Sequence, residues 1–145
     1  MTGVASVGII ARDCRGLVIY AATRALPRCS SSVEAEALAC LAGLEAGADK
    51  VQMPIILETD NAEVAAAIQK RDATRSAWWP IIQESLAIMD RLVQVQVHNV
   101  KRGCNRVAHE LAKLVQSSGI DTEWILQSPP SVLTLLNQEC NPLFF

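Results

Sequence analysis

The chain has 145 residues, of which 50% are hydrophobic, 19% are charged and 4% are aromatic. This length and composition exclude a disordered chain and predict one compact domain with a core of Val, Ile, Leu and Ala. The formal net charge of -2 excludes a global positive field that would attract a polyanion. Nucleic-acid contact therefore requires a local basic patch. The candidate patch, which is also typical of a solvated surface, consists of Lys101, Arg102, Arg106 and Lys113.

The cysteines indicate neither a zinc site nor a disulfide framework. Their number is odd, and no C-x-x-C pair occurs among Cys14, Cys29, Cys40, Cys104 and Cys140. We therefore expect reduced structural thiols. No apolar run reaches the roughly 20 residues that span a bilayer, and the start MTGVASVGII lacks the basic region of a signal peptide. These features predict a cytoplasmic or nuclear protein without membrane contact.

The hydrophobic pattern of the first half predicts a β-hairpin, a helix and a strand. The hairpin is indicated by two runs rich in β-branched residues, SVGIIARD and RGLVIYAATR, between which Asp13 and Gly16 suit a tight turn. From Ser31 a helical period continues to about Asp49, and the preceding serines can cap this helix. Its predicted apolar stripe is Val33, Ala37, Leu41, Leu44 and Ala48. The nearly all-apolar VQMPIILETD predicts a strand covered on both faces within a parallel pair, with Pro54 at its entry end.

The second half predicts two helices, an alternating strand and a last helix. Asp60 and Asn61 can both cap the Ala-rich AEVAAAIQK, and a longer helix is indicated by SAWWPIIQESLAIMDRL. A half-buried strand is indicated by the alternation in VQVQVHNVK. The last helix is expected to turn inward Ala108, Leu111, Ala112 and Val115. The order β-β-α-β-α-α-β-α predicts an α/β domain over residues 4–118, a mixed sheet flanked by helices, with 119–145 as a tail that packs on it.

Four stretches of this sequence occur in an order that is typical of a known family. They are GIIARDCRG from Gly8 to Gly16, AEALACLAGLEAG from Ala35 to Gly47, ETDN from Glu58 to Asn61, and VKRGCNRVAHELAK from Val100 to Lys113. Together they resemble the plant reverse-transcriptase-like branch of the ribonuclease H family, over roughly residues 6 to 118. Relatives also carry a W, PP and LL pattern in the tail.

The resemblance implies a ribonuclease H-like fold and a magnesium site. Relatives have a five-stranded mixed sheet and four carboxylates, which hold two Mg²⁺ ions and hydrolyse the RNA strand of an RNA–DNA hybrid. Mg²⁺ prefers oxygen ligands, and a pair of ions can activate water and stabilise the leaving oxygen. Glu36 matches the helical glutamate and Asp60 the aspartate that ends the fourth strand, so both are expected to be catalytic and metal-binding. The alternatives are an exposed helix glutamate, like Glu34, and a helix cap.

The first acid of the family has no counterpart in this sequence. In relatives it lies in a strand before the hairpin, whereas no acidic residue precedes Asp13, which falls in the predicted turn. The family's central first strand is therefore expected to be missing, which would leave two strand edges unpaired. We expect the hairpin to pair directly with the fourth strand, or a strand to come from the tail or a partner chain. Alternatively, the sequence is a truncated product or a fragment.

The fourth acid is replaced by His109, in NRVAHELAK. Imidazole favours zinc, copper or iron over Mg²⁺, so a Mg²⁺ site on Glu36 and Asp60 is expected to be weak, with His109 as a proton carrier near the leaving group. The stretch HELAK does not complete a zinc-protease motif, because Lys113 stands where the second histidine would be. His98 is expected to be a structural strand histidine.

Three interpretations of function follow. The first is an active, metal-dependent RNA–DNA hybrid endonuclease. The second, which we predict, is a ribonuclease H-like domain that binds nucleic acid through Arg102, Asn105 and Arg106, with catalysis weakened or lost. The third is a protein-interaction or regulatory module, which binds a protein partner or a second copy through open sheet edges.

Overall fold

The structure is a computed structural model, and it describes residues 6–12, 18–26, 29–50, 54–71, 76–92, 94–101, 103, 106–118 and 122–125. The chain forms two compact units. The α-rich unit is Arg28–Val100, and the hairpin unit is Thr2–Pro27 with Lys101–Phe145. Within the described ranges, no helix has the length and apolar character that crossing a bilayer requires.

The described elements follow the order β-β-α-β-α-α-β-α-β, with one strand more than the sequence predicts. They are β1 (Ser6–Arg12), β2 (Val18–Ala25), α1 (Ser32–Lys50), β3 (Ile55–Thr59), α2 (Ala62–Lys70), α3 (Trp79–Arg91), β4 (Val95–Asn99), α4 (Arg106–Ser118) and β5 (Thr122–Ile125). The additional strand, β5, comes from the predicted tail.

The hairpin unit holds a three-stranded antiparallel sheet in the order β1-β2-β5. The β2–β5 ladder runs from Tyr20 opposite Ile125 to Thr23 opposite Thr122. Side chains reinforce it, because the buried Tyr20 hydroxyl donates to Glu123 Oε1 at 2.7 Å. Arg24 Nη2 also lies 3.8 Å from the same carboxylate oxygen. Burial and the hydrogen bond to Glu123 raise the pKa of Tyr20 above its ordinary value.

Helix α4 packs closely on β1 within this unit. A Cβ added to Gly8 would meet the backbone oxygen of Ala108 at 1.9 Å, so only glycine allows this approach. Ser6 Oγ donates to the carbonyl oxygen of Ala112 at 2.8 Å and fixes the same contact. The apolar side of α4 is centred on Val107 and Leu111, which pack with Ala21 of β2.

The α-rich unit holds a parallel pair of strands and three helices. In register, β3 and β4 pair from Ile55 opposite Val95 to Thr59 opposite Asn99. The core of this unit brings α1, α2, α3 and β4 together through Ala37, Cys40, Val64, Ala65, Ile68, Ile82 and Val97. The parallel pairing and the half-buried alternation of β4 confirm the sequence predictions for these strands.

Helix ends in this unit follow the predicted capping chemistry. Ser31 Oγ accepts the N–H of Glu34 at 3.1 Å, which makes Ser31 the cap of α1. Asn61 Oδ1 accepts the N–H of Val64 at 3.0 Å and caps α2. Arg71 ends α2 in the left-handed region at φ 55°. Its guanidinium binds the carboxylate of Asp90 at 2.8 Å, and so joins α2 to α3.

Several sequence predictions differ from the structure in detail. Ala48, assigned to the buried stripe of α1, is exposed. The strand β3 is not covered on both faces, because Ile56 is 53% exposed. On α4, Val107 is fully buried whereas Ala108 is only half-buried, so the apolar face is rotated by about one residue. The predicted hairpin turn, the inward Val115 side chain and the W, PP and LL tail pattern lie outside the described residues and side chains.

The tail supplies a strand, but not at the predicted gap. That gap was expected beside the first strand of the hairpin, β1, whereas β5 pairs with β2 at the edge of β2 that faces away from β1. The described strands form two sheets, one in each unit. Among these strands, the predicted direct pairing of the hairpin with β3 is not found. The limits 4–118 and 119–145 stay a prediction.

Candidate metal and nucleic-acid site

The two matched carboxylates are placed by one helix and one strand of the α-rich unit. Along α1, Gly47 faces the Ile55 side chain and Gly43 faces that of Leu57, at 2.8 Å and 3.3 Å from where their Cβ atoms would lie. One further step along both elements brings Cys40 to Thr59. Glu36 lies one turn before Cys40 on α1, and Asp60 directly follows Thr59 at the end of β3. The glycines therefore let the helix and the strand that carry the two carboxylates approach closely.

The charges of Glu36 and Asp60 both act on the buried thiol of Cys40. Burial raises the pKa of Cys40 to about 12, and the charges of Glu36 and Asp60 both raise it further, while a hydrogen bond with the Thr59 side chain lowers it. Both carboxylates therefore act electrostatically on one sulfur atom. Each is half-buried, so each keeps access to a ligand. The structure thus places two of the predicted site residues, Glu36 and Asp60, in one unit, where both act on Cys40.

Thr59 holds the end of β3 at this position. Its hydroxyl oxygen accepts the N–H of Asn61 at 3.2 Å, and its carbonyl oxygen accepts the N–H of Val100 at 2.9 Å. The side chain is almost fully buried, and it lowers the pKa of the Cys40 thiol against the larger effect of burial. Sequence reasoning missed both Cys40 and Thr59. The available signal was their spacing, because Cys40 lies one helical turn after Glu36 and Thr59 directly precedes Asp60.

Glu34, which served as the example of an ordinary helix glutamate, binds the residues at the start of α1. Its carboxylate accepts the backbone N–H of Ser30 at 2.9 Å and also the Ser30 hydroxyl. These bonds lower the pKa of Glu34 below its ordinary value. Asn61, and not the adjacent Asp60, is the cap of α2. Glu34 and Asn61 thus make the hydrogen bonds at the starts of α1 and α2, and the roles of Glu36 and Asp60 stay predictions.

His109 and the cations lie in the hairpin unit. His109 is half-buried on α4, and Arg106 is exposed at the first residue of the same helix. Lys101 is also exposed, whereas Lys113 binds the Glu110 carboxylate at 2.8 Å and is partly neutralised. The other two predicted nucleic-acid contacts, Arg102 and Asn105, lie outside the described residues. The roles of all these residues stay predictions.

His98 lies on β4, the strand predicted for it, and its structural role stays a prediction. Its side chain is exposed, and Nε2 lies 3.0 Å from the side-chain oxygen of Gln96, two residues earlier on the strand. Cys29 is also a buried, unbridged thiol, as expected from the scattered cysteines. Among the described residues, no group of three or more His, Cys, Asp and Glu side chains is arranged to hold a metal ion.

The chemistry of the Glu36 and Asp60 pair fits Mg²⁺ rather than a softer metal. Both donors are carboxylate oxygens, and the adjacent sulfur is a protonated, buried thiol at neutral pH. Mg²⁺ is often bound by one or two carboxylates, with waters and substrate phosphates as the remaining ligands. Glu36 on α1 and Asp60 after β3, both half-buried, match this number and kind of protein ligand.

Comparison with known proteins tests the predicted fold and family. No curated protein sequence gives a significant match. A similar solved structure is RNase H1 of the halophilic archaeon Halobacterium salinarum NRC-1, with a TM-score of 0.73 and 22% identity over 80% of this chain and 88% of that chain. This likeness confirms the predicted fold class. The family model described as reverse transcriptase-like matches residues 1–115. The chain therefore belongs to the reverse transcriptase-like family and has the ribonuclease H-like fold.

Proposed function

We propose that this protein is a ribonuclease H-like nucleic-acid-binding domain whose cleavage of RNA–DNA hybrids is weakened or lost. The observation that carries the proposal is that α1 and β3, which pack closely at Gly43 and Gly47, carry Glu36 and Asp60, whose charges both act on the Cys40 thiol. It supports a retained divalent-cation site of two carboxylates. The replacement of the family's fourth acid by His109 supports the loss of activity.

In this proposal, Glu36 and Asp60 hold Mg²⁺. When bound, the ion supplies charge neutralisation for the phosphate and a more acidic water. The α1–β3 packing would keep the two carboxylates in place before substrate arrives, so that little reorganisation would be needed. Two carboxylates suffice for one ion, and they leave a second ion with fewer protein ligands than the family resemblance implies.

His109 accounts for the proposed loss of rate. Imidazole is a poor Mg²⁺ ligand, and its protonated form repels the ion. On the half-buried face of α4, the ring can instead carry a proton for the leaving oxygen. Restoring the acid in His109→Asp is therefore expected to raise metal-dependent hybrid cleavage. No gain in this variant would refute the idea that His109 limits the rate.

Backbone contacts are proposed for Arg102, Asn105 and Arg106. Cations at the start of α4 suit the sequence-independent recognition of phosphates, and Arg106 and Lys101 are exposed for this purpose. Such binding weakens steeply as salt rises, because bound phosphates release counterions. A protein partner recognised through sheet edges would give little salt dependence.

The experiment combines binding and cleavage on one labelled RNA–DNA hybrid. We expect binding whose logarithmic salt slope falls by about one unit in Arg106→Gln. We also expect slow or absent cleavage in Mg²⁺ or Mn²⁺, with any cleavage lost in Asp60→Asn and Glu36→Gln. Matched controls are Asp49→Asn and Glu45→Gln, exposed acids on α1. Absence of hybrid binding at low salt would refute the proposal and favour the protein-interaction alternative.

A further inference from the structure

Gln69, the last residue but one of α2, hydrogen-bonds to a strand of the parallel pair. Its side-chain Nε2 donates to the carbonyl oxygen of Val97, the central residue of β4, at 2.6 Å. We propose that Gln69 protects the outer edge of β4, and thereby prevents this edge from pairing with the β4 edge of a second copy of the chain. The inference is independent of the proposed function, because neither a cation nor a nucleic acid enters it.

The outer edge of β4 is defined by the ladder with β3. The carbonyl oxygen of Gln94 and the N–H of Val100 both bond to β3. Successive residues of a parallel strand turn their N–H and C=O groups to alternate sides, so the even-numbered residues of this segment face β3. The odd-numbered residues therefore direct their backbone groups to the outer edge, and they are Val95, Val97 and Asn99. Gln69 thus binds the central acceptor of that edge.

The sequence of β4 itself lacks the features that normally protect an edge strand. Edge strands are commonly protected by Pro, by Lys, by a bulge, or by a segment that covers them. The five residues of β4, VQVHN, contain neither Pro nor Lys, and they pair with β3 in step from end to end. In the hairpin unit, by contrast, the β1–β2 ladder shifts register between Ala11 and Arg12, and β5 covers β2. Among the described residues, the side chain bonded to the outer edge of β4 is Gln69.

A second copy fits the unprotected edge because β4 is complementary to itself. Antiparallel pairing about a two-fold axis at the centre of β4 would set Val95 opposite Asn99, Gln96 opposite His98, and Val97 opposite its own counterpart. No acidic residue or lysine would face its like, and the valines favour strand pairing. Gln96 Oε1 and His98 Nε2 already lie 3.0 Å apart within one strand, so the same groups can bond between copies. Such pairing needs the Val97 carbonyl and the space in front of it, where the α2 side chain lies.

The test compares the self-association of full-length variants by sedimentation equilibrium. In Gln69→Ala, the dimer dissociation constant is expected to fall about 10–100-fold below that of wild type, because two such bonds, one in each copy, no longer compete with pairing. Gln69→Lys keeps a donor and adds a charge at the edge, so it should associate no more than wild type. Gln83→Ala, the same substitution at an exposed glutamine of α3, is the matched control and should also behave as wild type. Amide exchange of Val95 and Val97 should slow as Gln69→Ala dimerises.

A second substitution locates the contact between the copies. Val95→Pro removes an N–H that points to the outer edge, and proline is tolerated at the first residue of a strand. In the Gln69→Ala background, it should restore the wild-type dissociation constant. Equal dissociation constants in wild type and Gln69→Ala would overturn the inference, and a lower melting temperature without association would show that Gln69 only fixes α2 on β4. Association that persists in the double variant would also overturn it, since another surface would then be the cause.

Discussion

Replacing Gly8 by alanine tests how closely α4 packs on β1. The new Cβ would lie 1.9 Å from the Ala108 oxygen, 2.5 Å from the Leu111 Cβ and 2.8 Å from the Ala112 nitrogen. Real Cβ contacts essentially never fall below 3.0 Å, so the first contact is short by about 1.1 Å. Two of the three obstacles are backbone atoms of a helix, which cannot rotate away. The helix must therefore retreat from the strand by about 1 Å.

The cost of that retreat follows from the packing it disturbs. A gap of about 0.5–1 Å forfeits a quarter to a half of each dispersion contact along the helix, including those of Val107 and Leu111 with Ala21. Overpacking usually costs about 1–3 kcal/mol, and a helix that moves as a body belongs at the upper end or beyond it. Since domains are stable by about 5–15 kcal/mol, a fall of about 3 kcal/mol is large.

The assay is urea unfolding followed by circular dichroism. Gly103→Ala is the matched control, because a Cβ at Gly103 meets nothing within 4 Å, and its midpoint should remain near wild type. The Gly8→Ala midpoint should fall clearly below both. A Gly8→Ala protein as stable as the control would refute the described approach of α4 to β1.

Three further predictions concern the α-rich unit. Asn61→Ala should lower the free energy of unfolding by about 1 kcal/mol, because the Val64 N–H loses its cap, while Asn61→Asp should not; equal losses in both would contradict the cap. The lowered pKa of Glu34 contributes stability above its ordinary value near 4.5, and this contribution is lost as pH falls through the lowered value. The melting temperature of Glu34→Gln should therefore depend less on pH in the acid range, and an unchanged profile would exclude the bonds with Ser30. The Cys40 thiol, with its pKa near 12, should resist alkylation at pH 8 in the folded protein and react in urea. Rapid labelling of Cys40 itself in the native chain, located by mass spectrometry of its peptide, would contradict its burial.

Local chemistry made much of the α-rich unit predictable. The alternation in β4, the apolar run of β3 and the capping residues Ser31 and Asn61 are each decided by a few neighbouring residues. Glu36 and Asp60 were identified through the family resemblance. The close packing of α1 on β3 at Gly43 and Gly47 was not predictable, because a glycine on a helix does not indicate which residue it faces.

The unpredicted features depend on distant residues. The strand β5 is four residues long, and its partner β2 lies about a hundred residues earlier, so no local period announces it. The effect of Thr59 on the Cys40 thiol joins two residues 19 positions apart. In the sequence, each reads as an ordinary small core residue. The full burial of Val107 on α4 follows from its packing with Ala21 of β2, which the helical period alone does not specify.

The pairing of β5 with β2 bears on where the chain can be cut for expression. The match to the family ends at residue 115, before β5 begins at Thr122. A recombinant chain that stops at the family boundary loses the ladder to Tyr20–Thr23 and the bond from Tyr20 to Glu123. The N–H and C=O groups of β2 would then face solvent as an open template for intermolecular association. We therefore expect the solubility of a recombinant chain to depend on the four residues of β5, Thr122–Ile125, which lie beyond the end of the family match at residue 115.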